Sequence, residues 1–120
     1  MPVEGSERKL VSVLFADLVG FTTFAEGRDA EEVRDTLSRY FEVARDVIER
    51  YGGTVEKFIG DAVMAVWGAP VAHEDDAERA VRAAMELVDA VTALGSGIQA
   101  RAGVRQFGHT DGSPRHAIVG

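Results

Sequence analysis

The sequence contains no cysteine, which removes disulfides, thiolate-held metals and a cysteine nucleophile from consideration and fits a reducing compartment. It also lacks a basic excess, since 13 Lys and Arg stand against 20 Asp and Glu for a net charge of −7. A protein that holds nucleic acid by neutralising phosphates needs a basic face, so no nucleic-acid partner is expected. Any phosphate-bearing ligand should be small and arrive with its own metal. Long hydrophobic runs are missing too: the longest, Ala62 to Ala72, is broken by Gly68 and Pro70 and is too short to cross a bilayer. Met1 to Lys9 is polar and of mixed charge, unlike a signal peptide. These absences lead us to expect no membrane segment and a cytoplasmic location. The composition itself is that of a globular domain, 46% hydrophobic and 28% charged. A single domain of 120 residues can bury roughly two-thirds of its unfolded surface.

Residues 1–9 suggest a flexible leader, and a domain is expected over 10–104. The run Leu10 to Ala16 is apolar except for Ser12, which predicts a strand covered on both faces, closed by Asp17. Leu18 to Thr23 predicts a turn in which Gly20 frees the backbone to approach a ligand. Asp29 and Glu32 then form a capping-box-like start to a long helix. Along it Val33, Leu37, Tyr40, Phe41, Ala44, Val47, Ile48 and Tyr51 recur at helical spacing before Gly52-Gly53 ends it. Thr54 to Ile59 and Ala62 to Trp67 predict two strands joined by the two-residue hairpin turn Gly60-Asp61. A second helix is expected from Asp75, capped by Asp75 and Glu78, to Leu94. Ile98, Ala100, Ala102 and Val104 alternate with Gln99, Arg101 and Gly103, the period of a half-buried strand. Periodicity vanishes from Arg105, so 105–120 is expected to be a divergent, irregular tail with a brief apolar return at Ala117-Ile118-Val119. Strand, helix, hairpin, helix and strand in this order predict an α+β fold, an antiparallel-rich sheet with helices on one face.

Asp17 and Asp61 carry most of the chemistry. Each is a carboxylate at the end of a segment that predicts a buried strand, and an ionised carboxylate buried unpaired costs several kcal/mol. Two of them suggest a shared divalent cation. They lie 44 residues apart, so only tertiary folding could bring them together, and spacing alone leaves that open. Other candidates have plainer explanations. His73-Glu74-Asp75-Asp76 opens a helix, where acidic residues serve the dipole and the cap. His109 and His116 lack ligand-like spacing and should be solvated. Taken alone, Lys57 is an exposed strand residue loosely paired with an acid. A phosphoacceptor receiver domain built on Asp17 fits poorly, because no acidic pair precedes it and a hairpin around Asp61 does not suit a parallel sheet.

Several ordered blocks together resemble one family. Phe15-Ala16-Asp17-Leu18-Val19-Gly20-Phe21-Thr22, Tyr51-Gly52-Gly53, Lys57-Phe58-Ile59-Gly60-Asp61, Ala62 to Gly68 and His73-Glu74-Asp75-Asp76-Ala77 are similar to the class III adenylate/guanylate cyclase catalytic domain, over about Leu10 to Val104. The resemblance implies a ferredoxin-like palm working as a homodimer, or as a heterodimer with another cyclase domain. It implies conversion of ATP to cyclic AMP and pyrophosphate by a two-metal mechanism in intracellular signalling. Asp17 and Asp61 would then be the catalytic carboxylates that hold two Mg2+ or Mn2+ ions with the carbonyl of Leu18. The amides of Val19, Gly20, Phe21 and Thr22 would cradle the phosphates. Lys57 would bind the purine from the opposite protomer and favour ATP over GTP.

The sequence also departs from that pattern. After the Gly103-Val104 strand the family continues into a helix bearing an asparagine and an arginine that stabilise the transition state. This chain has no asparagine, and Arg101, Arg105 and Arg115 do not lie in such a helix motif. The loss of pattern after Val104 suggests a truncated, degenerate or frame-shifted product whose activity alone is doubtful. The alternative is a noncatalytic nucleotide-binding or dimerising module derived from a cyclase.

Overall fold

The computed structural model describes residues 10–94 and 97–108 together with the backbone course of 114–119. The expected leader, 1–9, lies outside the described residues. In chain order the elements are β1 (Leu10–Val19), α1 (Phe21–Ala25), α2 (Ala30–Arg50), β2 (Thr54–Ile59), β3 (Ala62–Trp67), α3 (Asp76–Ala93), β4 (Gln99–Gly108) and β5 (Pro114–Val119). The strands form one sheet in the order β2-β3-β1-β4-β5, and every neighbouring pair is antiparallel. The expected α+β palm is therefore present.

Alternation along the strands decides which face the helices cover. Leu14, Ala16 and Leu18 of β1, Val63, Ala65 and Trp67 of β3, and Ala100, Ala102 and Val104 of β4 form one buried layer. Against it pack Tyr40, Ala44, Val47 and Ile48 of α2 and Ala80, Ala83, Ala84, Leu87 and Val91 of α3. Each large aliphatic side chain removed from water in this layer contributes about 1.5–3 kcal/mol. The alanines of α3 let that helix approach the sheet closely. Trp67 satisfies its buried indole N–H on the carbonyl of Tyr51 at 3.0 Å. The Tyr51 hydroxyl donates to Glu86 at 2.8 Å, joining the end of α2 to α3.

Local signals explain most boundaries. Asp29 caps α2 by accepting from the amide of Glu31 at 3.3 Å. The helix closes with the amide of Gly53 donating to the carbonyl of Ile48 at 2.9 Å. The β2–β3 turn is Gly60-Asp61 as expected, with Gly60 at φ +58°, a value that glycine adopts without steric cost.

Four expectations are corrected. First, β1 continues past Ala16 to Val19, because β4 keeps pairing with it through Leu18↔Ala100 and Val19↔Gln99; Asp17 stands inside the strand. Second, part of the expected turn at 18–23 is that strand end, and Phe21 onward is the short helix α1. Third, Asp75 does not cap α3 with its side chain; it pairs with Arg79 at 2.9 Å, and Glu78 pairs with Arg82. The buried Asp76 instead accepts from the backbone amide of His73 at 2.7 Å. Fourth, the region 105–120 is not simply irregular. β4 runs to Gly108, paired with β1 through Leu10↔Gly108, and β5 adds an edge strand with register from Ala102↔Val119 to Phe107↔Pro114. Backbone pairing of β4 to β1 and of β5 to β4 carries this segment without an apolar alternation, and Pro114 takes the first position of an edge strand, where a missing N–H costs least.

Candidate active site

The site forms where β1, β3 and β4 end together. One step beyond the pair Ala16↔Val63, Asp17 comes level with Ala62, the neighbour of Asp61. The two carboxylates that the sequence separates thus share one end of adjacent strands. Both act electrostatically on the same two groups, Arg101 and Tyr40. Leu18, buried in β1, pairs with Ala100.

Arg101 is the residue that sequence reasoning left without a role. It faces Asp17 across the β1–β4 pair and grips it with two hydrogen bonds, Nε to Oδ1 at 3.1 Å and Nη2 to Oδ2 at 2.8 Å. This fork-on-carboxylate geometry is the strongest form of such a pair. The bonds to Asp17, with its charge and that of Asp61, hold the Arg101 guanidinium still more firmly protonated than usual. Part of the signal was in the sequence: Arg101 stands between the inward Ala100 and Ala102, which puts it on the outward face, while its pairing with Asp17 comes from the β1–β4 register.

Beside this pair, on the face away from the helices, lies a cleft of about 440 Å³ lined by Phe15, Asp17, Ile59, Met64, Arg101 and Gly103 among others. Its walls are apolar, with one charged pair at the rim. Phe15 is 44% exposed and Ile59 62%, unusual for large apolar side chains on an isolated surface. Lys57 is exposed in β2, past a bulge at Glu56, and pairs with Met64, which in turn pairs with Phe15. Lys57 therefore stands on the cleft face, in the row next to Asp17.

The phosphate-binding candidates follow β1 directly. Val19 is its exposed last residue. Gly20 sits at φ +83° and caps α1, its carbonyl accepting from the amide of Phe24 at 3.0 Å. A side chain at Gly20 would strain this left-handed conformation. Phe21 is half-buried and Thr22 exposed. The first amides of a helix have no partner within it, so those of Phe21 and Thr22 are available.

The donor set can be tested for a metal. Among the described residues no group of three or more His, Cys, Asp or Glu side chains is placed to hold one. Two carboxylates and a carbonyl are too few for a closed structural site. They do suit Mg2+ or Mn2+, which take one or two carboxylates and complete their shell with substrate phosphates and water. A second sign is the buried Tyr40 hydroxyl, which has no hydrogen-bond partner. Its ionisation is pushed up by burial first, then by the charges of Asp61 and Asp17, so the hydroxyl keeps its proton.

Comparison with known proteins identifies the family. The profile of the adenylate and guanylate cyclase catalytic domain matches residues 3–109. The chain belongs to this cyclase family. It is 40% identical over 100 residues to Adenylate cyclase 1 of Rhizobium meliloti, spanning 83% of this chain and 15% of that protein. Among solved structures, an adenylyl cyclase from P. aeruginosa superposes with a TM-score of 0.74 at 30% identity, covering 94% of this chain and 66% of that one. The guanylate cyclase domain of a Catenaria anguillulae protein, solved with GTP, gives 0.75 at 27% identity, covering 94% and 67%. The cyclase chain thus spans a small part of its curated relative and about two-thirds of the solved domains. Adenylate and guanylate cyclases both occur among these relatives. No helix among the described residues is long and apolar enough to cross a membrane.

Proposed function

We propose that this cyclase domain converts ATP to cyclic AMP and pyrophosphate in intracellular signalling, at a site completed by a second cyclase domain. The observation that supports the reading is the strand register, which brings Asp17 level with the residue that follows Asp61, together with the open cleft that Asp17 lines. Asp17, Asp61 and the Leu18 carbonyl would hold two Mg2+ or Mn2+ ions. Bound there, the cations would supply Lewis acidity for the ribose 3′-hydroxyl and neutralise charge on the leaving pyrophosphate.

The remaining work falls to the chain's own groups. The amides of Val19, Gly20, Phe21 and Thr22 bind phosphate oxygens and fix the triphosphate. Were Asp17 to hold a cation, Arg101 would be left beside the site as a fork that fits two phosphate oxygens. Lys57 donates to a ring acceptor of adenine in the site of a partner domain, which is why ATP is the proposed substrate; a cytoplasmic location belongs to the same proposal. The apolar face around Phe15 and Ile59 supports a homodimer, or a heterodimer with another cyclase domain, that would cover it.

The test of base selection is Lys57→Glu in an active assembly. A carboxylate there can accept from guanine N1 and its amino group, so preference should move from ATP toward GTP; an unchanged ratio would remove Lys57 from base reading. A second reading, a noncatalytic nucleotide-binding or dimerising module, is favoured by the fork of Arg101, which already occupies both oxygens of Asp17. Mixing this chain with a full cyclase domain whose metal aspartates are replaced by alanine separates the two. Cyclic AMP that requires both components, and that Asp61→Ala in this chain abolishes, supports catalysis. Heterodimers without product support the module.

A further inference from the structure

β4 opens at the site end of the sheet with Gln99-Ala100-Arg101-Ala102. Ala100 and Ala102 are buried against the helices, so alternation puts Gln99 on the open face together with Arg101. Both are exposed. Arg101 stands opposite Asp17 and binds it. Gln99 stands opposite Val19, the next pair on that face and the last before the turn at Gly20.

This register fixes what the glutamine can reach. A residue two positions along the partner strand is a diagonal neighbour at about 7–8 Å, within reach of a long side chain. Gln99 has that relation to Asp17. The backbone entering β4 also runs beside the turn that follows β1: a Cβ placed on Gly20 would lie 3.8 Å from the carbonyl oxygen of Gly97. Gln99 is therefore set between the Asp17–Arg101 pair and the Gly20 turn, on the face that carries the cleft.

The side chain suits that place. Beside Asp17 a second cation would compete with a metal for the carboxylate, and an acid would repel a phosphate. A carboxamide does neither, because it is uncharged and its NH2 group offers two donors.

We propose that Gln99 is a further substrate-binding residue, its side-chain amide donating to a phosphate oxygen of the nucleoside triphosphate at Asp17 and Asp61. The inference rests on the nucleotide reading above and extends it to a residue that serves the phosphate chain. Such a bond is indifferent to the base, so adenine and guanine nucleotides and inorganic tripolyphosphate should all depend on it alike.

Isothermal titration of the whole chain in manganese tests this with three ligands: α,β-methylene-ATP, α,β-methylene-GTP and tripolyphosphate. Gln99→Ala should weaken all three on the order of tenfold, the worth of one hydrogen bond to a charged group. Gln99→Glu should weaken them further, because it sets a negative charge against the phosphates, and added salt should shrink that excess. Thr54→Glu, at an exposed position of β2 far from the site end, should bind like the wild type. Unchanged tripolyphosphate affinity in Gln99→Ala, a loss confined to one nucleotide, or a Gln99→Glu variant that binds as well as Thr54→Glu overturns the proposal. A loss of affinity matched by a lowered melting temperature in both Gln99 variants would mark a structural residue and overturn it too. Failure of the wild type to bind any of the three ligands is a separate result, which removes the nucleotide reading itself and this inference with it.

Discussion

The two faces of the sheet use the same strands for different ends. On the covered face Leu14, Ala16 and Leu18 meet the helices and are almost wholly buried. On the open face Phe15, Asp17 and Val19, their immediate neighbours in the chain, remain half-buried or exposed, the first two lining the cleft. Because side chains alternate along a strand, one ten-residue segment supplies the core and the site without either compromising the other. The covered face is finished, with its apolar groups enclosed. The open face is not: it keeps large apolar side chains in water and a carboxylate held by an arginine that other chemistry could displace. Stability should therefore be sensitive on one face and binding on the other.

The largest effect expected from breaking this division is on the covered face. Leu14→Ala removes a fully buried side chain and should cost about 2–5 kcal/mol of unfolding free energy in a denaturant titration. Phe15→Ala, one residue along, should cost under about 1 kcal/mol yet weaken self-association measured by sedimentation. Equal losses of stability would erase the distinction. Next comes Arg101→Ala on the open face. Melting should fall only modestly, since the pair, although bidentate, is open to solvent. Calorimetry should show tighter binding of manganese alone, as Asp17 is released, and weaker binding of a nucleoside triphosphate, as a phosphate ligand is lost. Both affinities unchanged would make the Arg101–Asp17 pair ornamental.

The smallest effect concerns alkaline pH. An unfolded tyrosine loses its proton near pH 10, while burial, Asp61 and Asp17 keep that of Tyr40 bound to higher pH. Above about pH 10 the folded state then holds more protons than the unfolded one, so stability falls as pH rises. Tyr40→Phe should make this fall shallower in pH-dependent melting, leaving the contribution of Tyr51, raised by its hydrogen bond to Glu86. An identical slope would place the Tyr40 hydroxyl outside the balance.

Much of this was legible in the sequence because it is written locally. Helical spacing from Val33 to Tyr51 and the Gly60-Asp61 turn each report on their own neighbourhood, and α2 and the β2–β3 hairpin followed from them. What escaped depends on pairing between distant segments. β1 reaches Val19 because β4 accompanies it, and β4 reaches Gly108 because the start of β1 accompanies it; neither extension has an apolar alternation to announce it. The edge strand β5 was missed for the same reason. At the site, the two aspartates were visible as misplaced charges. Their meeting, and the part of Arg101, required the register of β1 against its two neighbours.

The central claim is that Asp17 and Asp61 act as one metal-binding unit for a nucleotide. Isothermal titration with α,β-methylene-ATP, with and without manganese, tests it most directly. The account predicts binding that requires manganese and falls by an order of magnitude or more in Asp17→Ala and in Asp61→Ala, since one carboxylate cannot offset two divalent ions and orient a triphosphate. Wild-type affinity in either variant, with its fold intact, would contradict it.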